Sequence, residues 1–109
     1  MEIIFQVTDP TGRVVVLTEQ CWREHILAFH PAMEEFKDAI QTTIVSPLYG
    51  TIYGDVDYPD RRIYYSRRGK YQYLKVVVEF DQEGGMVITA FITDRLKSGE
   101  KLIWPKSNP

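Results

Sequence analysis

The chain has one cysteine, Cys21, in 109 residues, so it can form no internal disulfide and offers no cysteine-based zinc pattern. No run approaches the ~18 consecutive apolar residues that a membrane-spanning helix needs. The opening residues MEIIFQVTD lack a basic segment followed by a long apolar core, so they do not read as a secretory signal. One thiol and no such signal make the cytoplasm the expected compartment. The sequence contains no repeat, low-complexity tract, GxGxxG, Walker loop or nucleophile elbow. No His, Asp and Glu spacing suits a metal, and no cofactor is expected. A net charge of −2 gives the whole molecule little pull toward either polyanions or polycations.

What is present is ordinary core material. Hydrophobic residues make up 44% of the chain and aromatics 13%, enough for one globular domain over 1–109. The densest pattern runs from Arg61 to Thr93. Three runs rich in Val, Ile, Tyr and Phe are separated by turn formers: Arg62 to Ser66, Tyr71 to Phe80, and Met86 to Thr93. A loop at Ser66 to Lys70 and a tight connection at Asp81 to Gly85 make the three runs an antiparallel meander, 61–93.

Strand side chains alternate between faces, so parity assigns each residue a side. One expected face is the core: Ile63 and Tyr65, then Leu74, Val76, Val78 and Phe80, then Ile88, Ala90 and Ile92. The opposite face then carries Arg62, Tyr64 and Ser66, Tyr73, Lys75, Val77 and Glu79, and Val87, Thr89, Phe91 and Thr93. A polar sheet face of this kind is either a contact surface or simply solvated.

The flanks complete the plan. Residues 2–17 read as a hairpin turning at Asp9-Pro10-Thr11-Gly12, where Pro presets φ and Gly tolerates positive φ. Residues 18–46 read as two helices. Thr18 caps the first, and spacing at 100° per residue puts Trp22, Ile26 and Phe29 on one stripe, with His25 inside it. His30-Pro31 breaks the chain into a second helix with Met33, Phe36, Ala39, Ile40, Thr43 and Ile44 buried, ending at Ser46-Pro47. Residues 48–60 are a loop with a short strand near Tyr49 to Tyr53. In the tail, 94–109, the patch Leu102-Ile103-Trp104 either docks on the core or adds an edge strand, and Lys106 to Pro109 fray. The fold class is therefore α+β: two helices on one face of an antiparallel meander, preceded by a short hairpin.

This order of elements resembles the RelE-like and BrnT-like ribonuclease toxins, within a wider grouping that includes barnase, EndoU and colicin-type RNases. The matching pieces are Trp22-Arg23-Glu24-His25-Ile26, Asp60-Arg61-Arg62-Ile63-Tyr64-Tyr65, Leu74-Lys75-Val76-Val77-Val78-Glu79 and Val87-Ile88-Thr89-Ala90-Phe91, covering roughly residues 18 to 96. The resemblance implies a metal-independent endoribonuclease acting on RNA, neutralised by a cognate antitoxin. Two features depart from it: Phe91 stands where BrnT-like proteins carry Arg, and the hairpin 2–17 is additional.

Metal-free RNA cleavage needs a base for the 2′-OH, an acid for the leaving oxygen, and cations around the phosphate. The polar face supplies Arg62 and Lys75 as cations, Glu79 as base and Thr89 as hydrogen-bond donor. His25 is either an acid–base residue or a buried, satisfied core histidine. Tyr64, Tyr73, Arg67, Arg68 and Thr93 are the expected substrate contacts, with tyrosine rings available for base stacking. The same Arg and Tyr residues also suit an ordinary strand surface. Between Arg61 and Lys75 lie six basic residues and no acidic one. The rival class is a non-catalytic protein- or nucleic-acid-binding module using the same face.

Overall fold

A computed structural model describes residues 2–105. The fold is α+β, with a seven-stranded, mostly antiparallel sheet and two short helical segments packed on one face. The strands are β1 (Ile3–Thr8), β2 (Val14–Thr18), β3 (Ile52–Gly54), β4 (Arg61–Gly69), β5 (Gln72–Phe80), β6 (Gly85–Thr93) and β7 (Lys101–Trp104). Their order across the sheet is β1-β2-β6-β5-β4-β3-β7. The expected meander is β4-β5-β6, and the expected hairpin is β1-β2. The hairpin joins the same sheet through a short parallel pairing of Val15 and Val16 with Gly85 and Met86. The patch Leu102-Ile103-Trp104 forms the edge strand β7 against β3. Residues 106–109, expected to fray, lie outside the described residues.

The local signals act as their chemistry predicts. Gly12 takes φ 87° in the first turn, and its N–H bonds Asp9 O at 2.9 Å. The Thr18 hydroxyl accepts from Cys21 N–H at 3.1 Å and caps helix α1 (Glu19–Cys21). Beyond Cys21 the helix widens to a π-helical turn, Trp22–Leu27. Each residue there advances by less than 100°, so the predicted stripe breaks. Trp22 and Ile26 stay buried, whereas Phe29 swings out to 72% exposure and His25 is exposed rather than set in the core. Pro31 opens a 3-10 segment, Pro31–Phe36, which leads into α2 (Lys37–Val45). Met33, Ile40, Thr43 and Ile44 are buried as the spacing predicts. The Thr43 hydroxyl satisfies itself on Ala39 O at 2.6 Å and shares a hydrogen bond with Ser66 Oγ at 2.7 Å.

Two face assignments need correction. In β4 the parity is inverted: Arg62, Tyr64 and Ser66 point toward the helices, and Ile63 and Tyr65 lie on the other face. Alternation alone cannot decide this, because Tyr64 is as buriable as Ile63 when its hydroxyl finds a partner. In β6 a bulge opposes Val77-Val78 to Thr89 and Val87, leaving Ile88 unpaired. A bulge resets the alternation. Val87 therefore enters the main core and Ile88 packs on the far side. The expected loop at Ser66 to Lys70 is also strand: β4 runs to Gly69, with a bulge at Arg68, and Lys70-Tyr71 make the turn.

The second face is not open throughout. β6 ends beside β5, whereas β7 lies at the far edge beyond β3, so residues 94–100 must cross the sheet. Contacts of Lys97 and Glu100 with Tyr65 place this crossing strap on the face away from the helices.

Candidate functional site

Two buried polar networks are built on neighbouring residues of β4. On the helix face, the Tyr64 hydroxyl donates to Asp9 Oδ2 at 2.6 Å and Arg62 Nη1 donates to the same oxygen at 3.0 Å. Asp9 Oδ1 accepts from Thr11 N at 2.9 Å, Thr11 Oγ1 at 2.7 Å and Arg13 N at 3.1 Å. Burial opposes ionisation of Asp9, but the hydrogen bonds from Thr11, Tyr64 and the Arg13 backbone outweigh it and hold its carboxyl below the usual range. The Arg62 guanidinium also lies 4.8 Å from the Phe80 ring centroid, with Arg13 at 4.5 Å from the same centroid. The ring sits this low because position 85 is glycine: a Cβ there would come within 2.7 Å of it.

On the strap face, the Tyr65 hydroxyl donates to Glu100 Oε1 at 2.6 Å, and Lys75 Nζ donates to Glu100 Oε2 at 2.9 Å. The Lys97 backbone N–H donates to the Tyr65 hydroxyl at 3.3 Å. The Lys75 and Glu100 side chains are 11% and 3% exposed, so this is a desolvated ion pair. The Lys75 ammonium lies 5.7 Å and 5.9 Å from the Tyr65 and Phe91 rings, and His30 stacks on Phe91 at 5.2 Å. Burial first, and then the bond to Glu100, raises the Tyr65 phenol well above its ordinary value; burial and Asp9 do the same to Tyr64.

The predicted catalytic residues do not meet in one place. Arg62 belongs to the Asp9 network on the helix face. Lys75 belongs to the Glu100 network on the opposite face. Thr89 pairs with Val77 on that second face, half-buried. His25 and Glu79 do come together, lining a cleft of about 600 Å³ between α1 and the β5-β6 turn. Asp60 and Asp81 line it too, and among the described residues no Lys or Arg does. Its floor includes Cys21, whose thiol donates to Val87 O at 2.9 Å and is pushed up to about 11 by burial. Among the described residues, no group of three or more His, Cys, Asp or Glu side chains is arranged to hold a metal ion.

The predicted contact residues divide as well. Tyr64 is wholly buried on the helix face. Arg67, Tyr73 and Thr93 gather at one end of the strap face, where Arg67 Nη2 donates to the Tyr73 hydroxyl at 3.3 Å and Tyr73 pairs with Thr93. Arg68 occupies the β4 bulge, its guanidinium 5.8 Å from the Phe36 ring. Lys70 and Tyr71 cap this end, the ammonium 5.5 Å from a ring that is 71% exposed. The six cations of the basic strip therefore divide. Arg62 and Lys75 are spent on buried carboxylates, Arg61 lies 3.9 Å from the Tyr58 ring centroid at the start of β4, and Arg67, Arg68 and Lys70 stand beside aromatic rings at the β4-β5 hairpin end.

Asp9 and Glu100 are the residues that sequence reasoning missed. Asp9 was accounted for by its turn, and Glu100 lay in a polar tail. A signal existed nonetheless. Lys75 sits between Leu74 and Val76 in a strand otherwise fit for burial, and a buried ammonium requires a carboxylate somewhere. No helix among the described residues is long and apolar enough to cross a membrane. Comparison with known protein families, curated proteins and solved structures yields no match.

Proposed function

We propose that this chain is a nucleic-acid-binding module, acting on RNA in the cytoplasm and gripping its ligand with the β4-β5 hairpin end. One observation carries this reading: Arg67, Arg68 and Lys70 project from one exposed hairpin, each beside an aromatic ring. Cations free to replace phosphate counterions give salt-dependent affinity even to a protein of near-neutral net charge. The test is binding of labelled RNA at low and raised salt by the native protein and by the double variant Arg67→Glu, Arg68→Glu. Affinity is expected to fall as salt rises and to be lost in the variant, with the denaturation midpoint unchanged. Equal binding by both proteins would remove the hairpin as the contact surface.

A metal-independent endoribonuclease with a cognate antitoxin is the second reading. It is favoured by the shared cleft of His25 and Glu79, a potential acid and base. It ranks second because Arg62 and Lys75, the cations assigned to the phosphate, are already paired. The cleft itself offers carboxylates where a phosphate needs positive charge. RNA cleavage in EDTA that leaves a 2′,3′-cyclic phosphate, and that spares a 2′-deoxy substrate, would reverse this ranking.

A further inference from the structure

We infer that the β4-β5 hairpin recognises an unpaired strand, with the Tyr71 ring as a stacking platform for a base; this rests on the nucleic-acid-binding reading above. A surface that only gripped phosphates would need the cations alone. This hairpin adds two tyrosines to them. Tyr71 occupies the turn itself, where Gly, Asn, Asp or Ser is the usual choice, and its ring is 71% exposed. Held in the solvent, that ring contributes little to the core, so its presence is not explained by packing.

The geometry around it suits a base. The Lys70 ammonium lies 5.5 Å from the Tyr71 ring centroid, so a phosphate on Lys70 brings its own nucleotide to the ring. Tyr73, two residues on, is half-buried and carries Arg67 at 5.4 Å, with its hydroxyl tied to that guanidinium. Tyr71 lies in the turn and Tyr73 is the second residue of β5, so both stand at the hairpin end. Two rings, each with a cation beside it, thus lie two residues apart there. A double helix presents phosphates but hides the faces of its bases, whereas an unpaired strand offers both. Stacking on a ring is indifferent to base identity, so the expected ligand class is single-stranded nucleic acid with little sequence preference.

The experiment is fluorescence anisotropy at low salt, using a labelled single-stranded RNA of mixed sequence, its duplex, and heparin as a competitor without bases. The native protein is expected to bind the single strand on the order of tenfold more tightly than the duplex, and Tyr71→Ala to weaken only the single-strand affinity by a similar factor. Tyr71→Trp restores it, and Tyr71→Ala leaves unchanged the affinity for heparin, read from its displacement of the labelled duplex. Equal affinity for strand and duplex, or a neutral Tyr71→Ala, overturns the stacking inference while leaving the polyanion reading intact. Failure to bind any of the three ligands overturns both.

Discussion

Tyr64 and Tyr65 are adjacent in the chain and point to opposite faces, yet each does the same thing. Each donates a 2.6 Å hydrogen bond to a carboxylate, and each carboxylate also holds a cation from the meander. The difference lies in what carries the carboxylate. Asp9 belongs to a tight turn, is fully enclosed, and receives bonds from its own loop as well as from β4. Glu100 belongs to a strap whose other residues, 94–99, are exposed, and among the described residues it receives Lys75 and Tyr65 alone. The same three chemical groups make a preorganised joint on one side and a clasp on the other. The cost of placing a charge in the interior is met locally in the first case and across the fold in the second.

The Asp9 joint is the more costly of the two to remove. Asp9→Ala leaves the Tyr64 hydroxyl buried without its acceptor and the Arg62 guanidinium without its carboxylate, with only Thr11 Oγ1 at 2.9 Å still accepting from it. A loss of about 3–5 kcal/mol in unfolding free energy is expected, measured by denaturant titration. A loss below about 1 kcal/mol would mean that water or rotation rescues Arg62, and the joint would be no stronger than a surface pair.

Glu100→Ala is expected to cost less, about 1–3 kcal/mol, because the strap can lift and let water reach the Lys75 ammonium. The effect should also be local. Hydrogen exchange would quicken across 94–104 while the Asp9 turn stays protected. Uniform loss of protection over the whole sheet would erase the distinction between joint and clasp.

Acidification gives a smaller and finer test. The Asp9 carboxyl is depressed in the fold, so its contribution is fully present above the ordinary aspartate value of about 4 and is lost as pH falls through the depressed one. The stability gap between the native protein and Asp9→Asn should therefore be constant at neutral pH and shrink below pH ~4. A gap that widens on acidification would reverse the assigned direction. The two phenols cannot make this distinction, since both are raised. Each contributes stability below the ordinary tyrosine value of about 10 that is lost at higher pH.

What the sequence made legible was whatever is decided within a few residues. Gly12, Thr18, Pro31 and the alternation of β5 each act through near neighbours, and each does what its chemistry predicts. What escaped was decided at a distance. Tyr64 faces the helices because Asp9, far away in the chain, waits there for its hydroxyl. The β6 bulge at Ile88 shifts parity by one residue and leaves no mark in composition. The π turn moved His25 and Phe29 off the predicted stripe by a change of pitch that the 3.6-residue rule assumes away. The candidate site suffered most, because its grouping assumed one shared face. Arg62 and Lys75 were joined by parity and are separated by the thickness of the sheet.

Cys21 turns the architecture into a clock. Its thiol is enclosed between α1 and the β6 bulge, bonded to Val87 O, and holds its proton up to about pH 11. Only the thiolate reacts with alkylating reagents, and only when it meets them. At neutral pH the single thiol therefore stays silent while helix and bulge remain in contact. Each alkylation event records one parting of that seam, so a bulk labelling rate counts openings between α1 and β6 without any engineered cysteine.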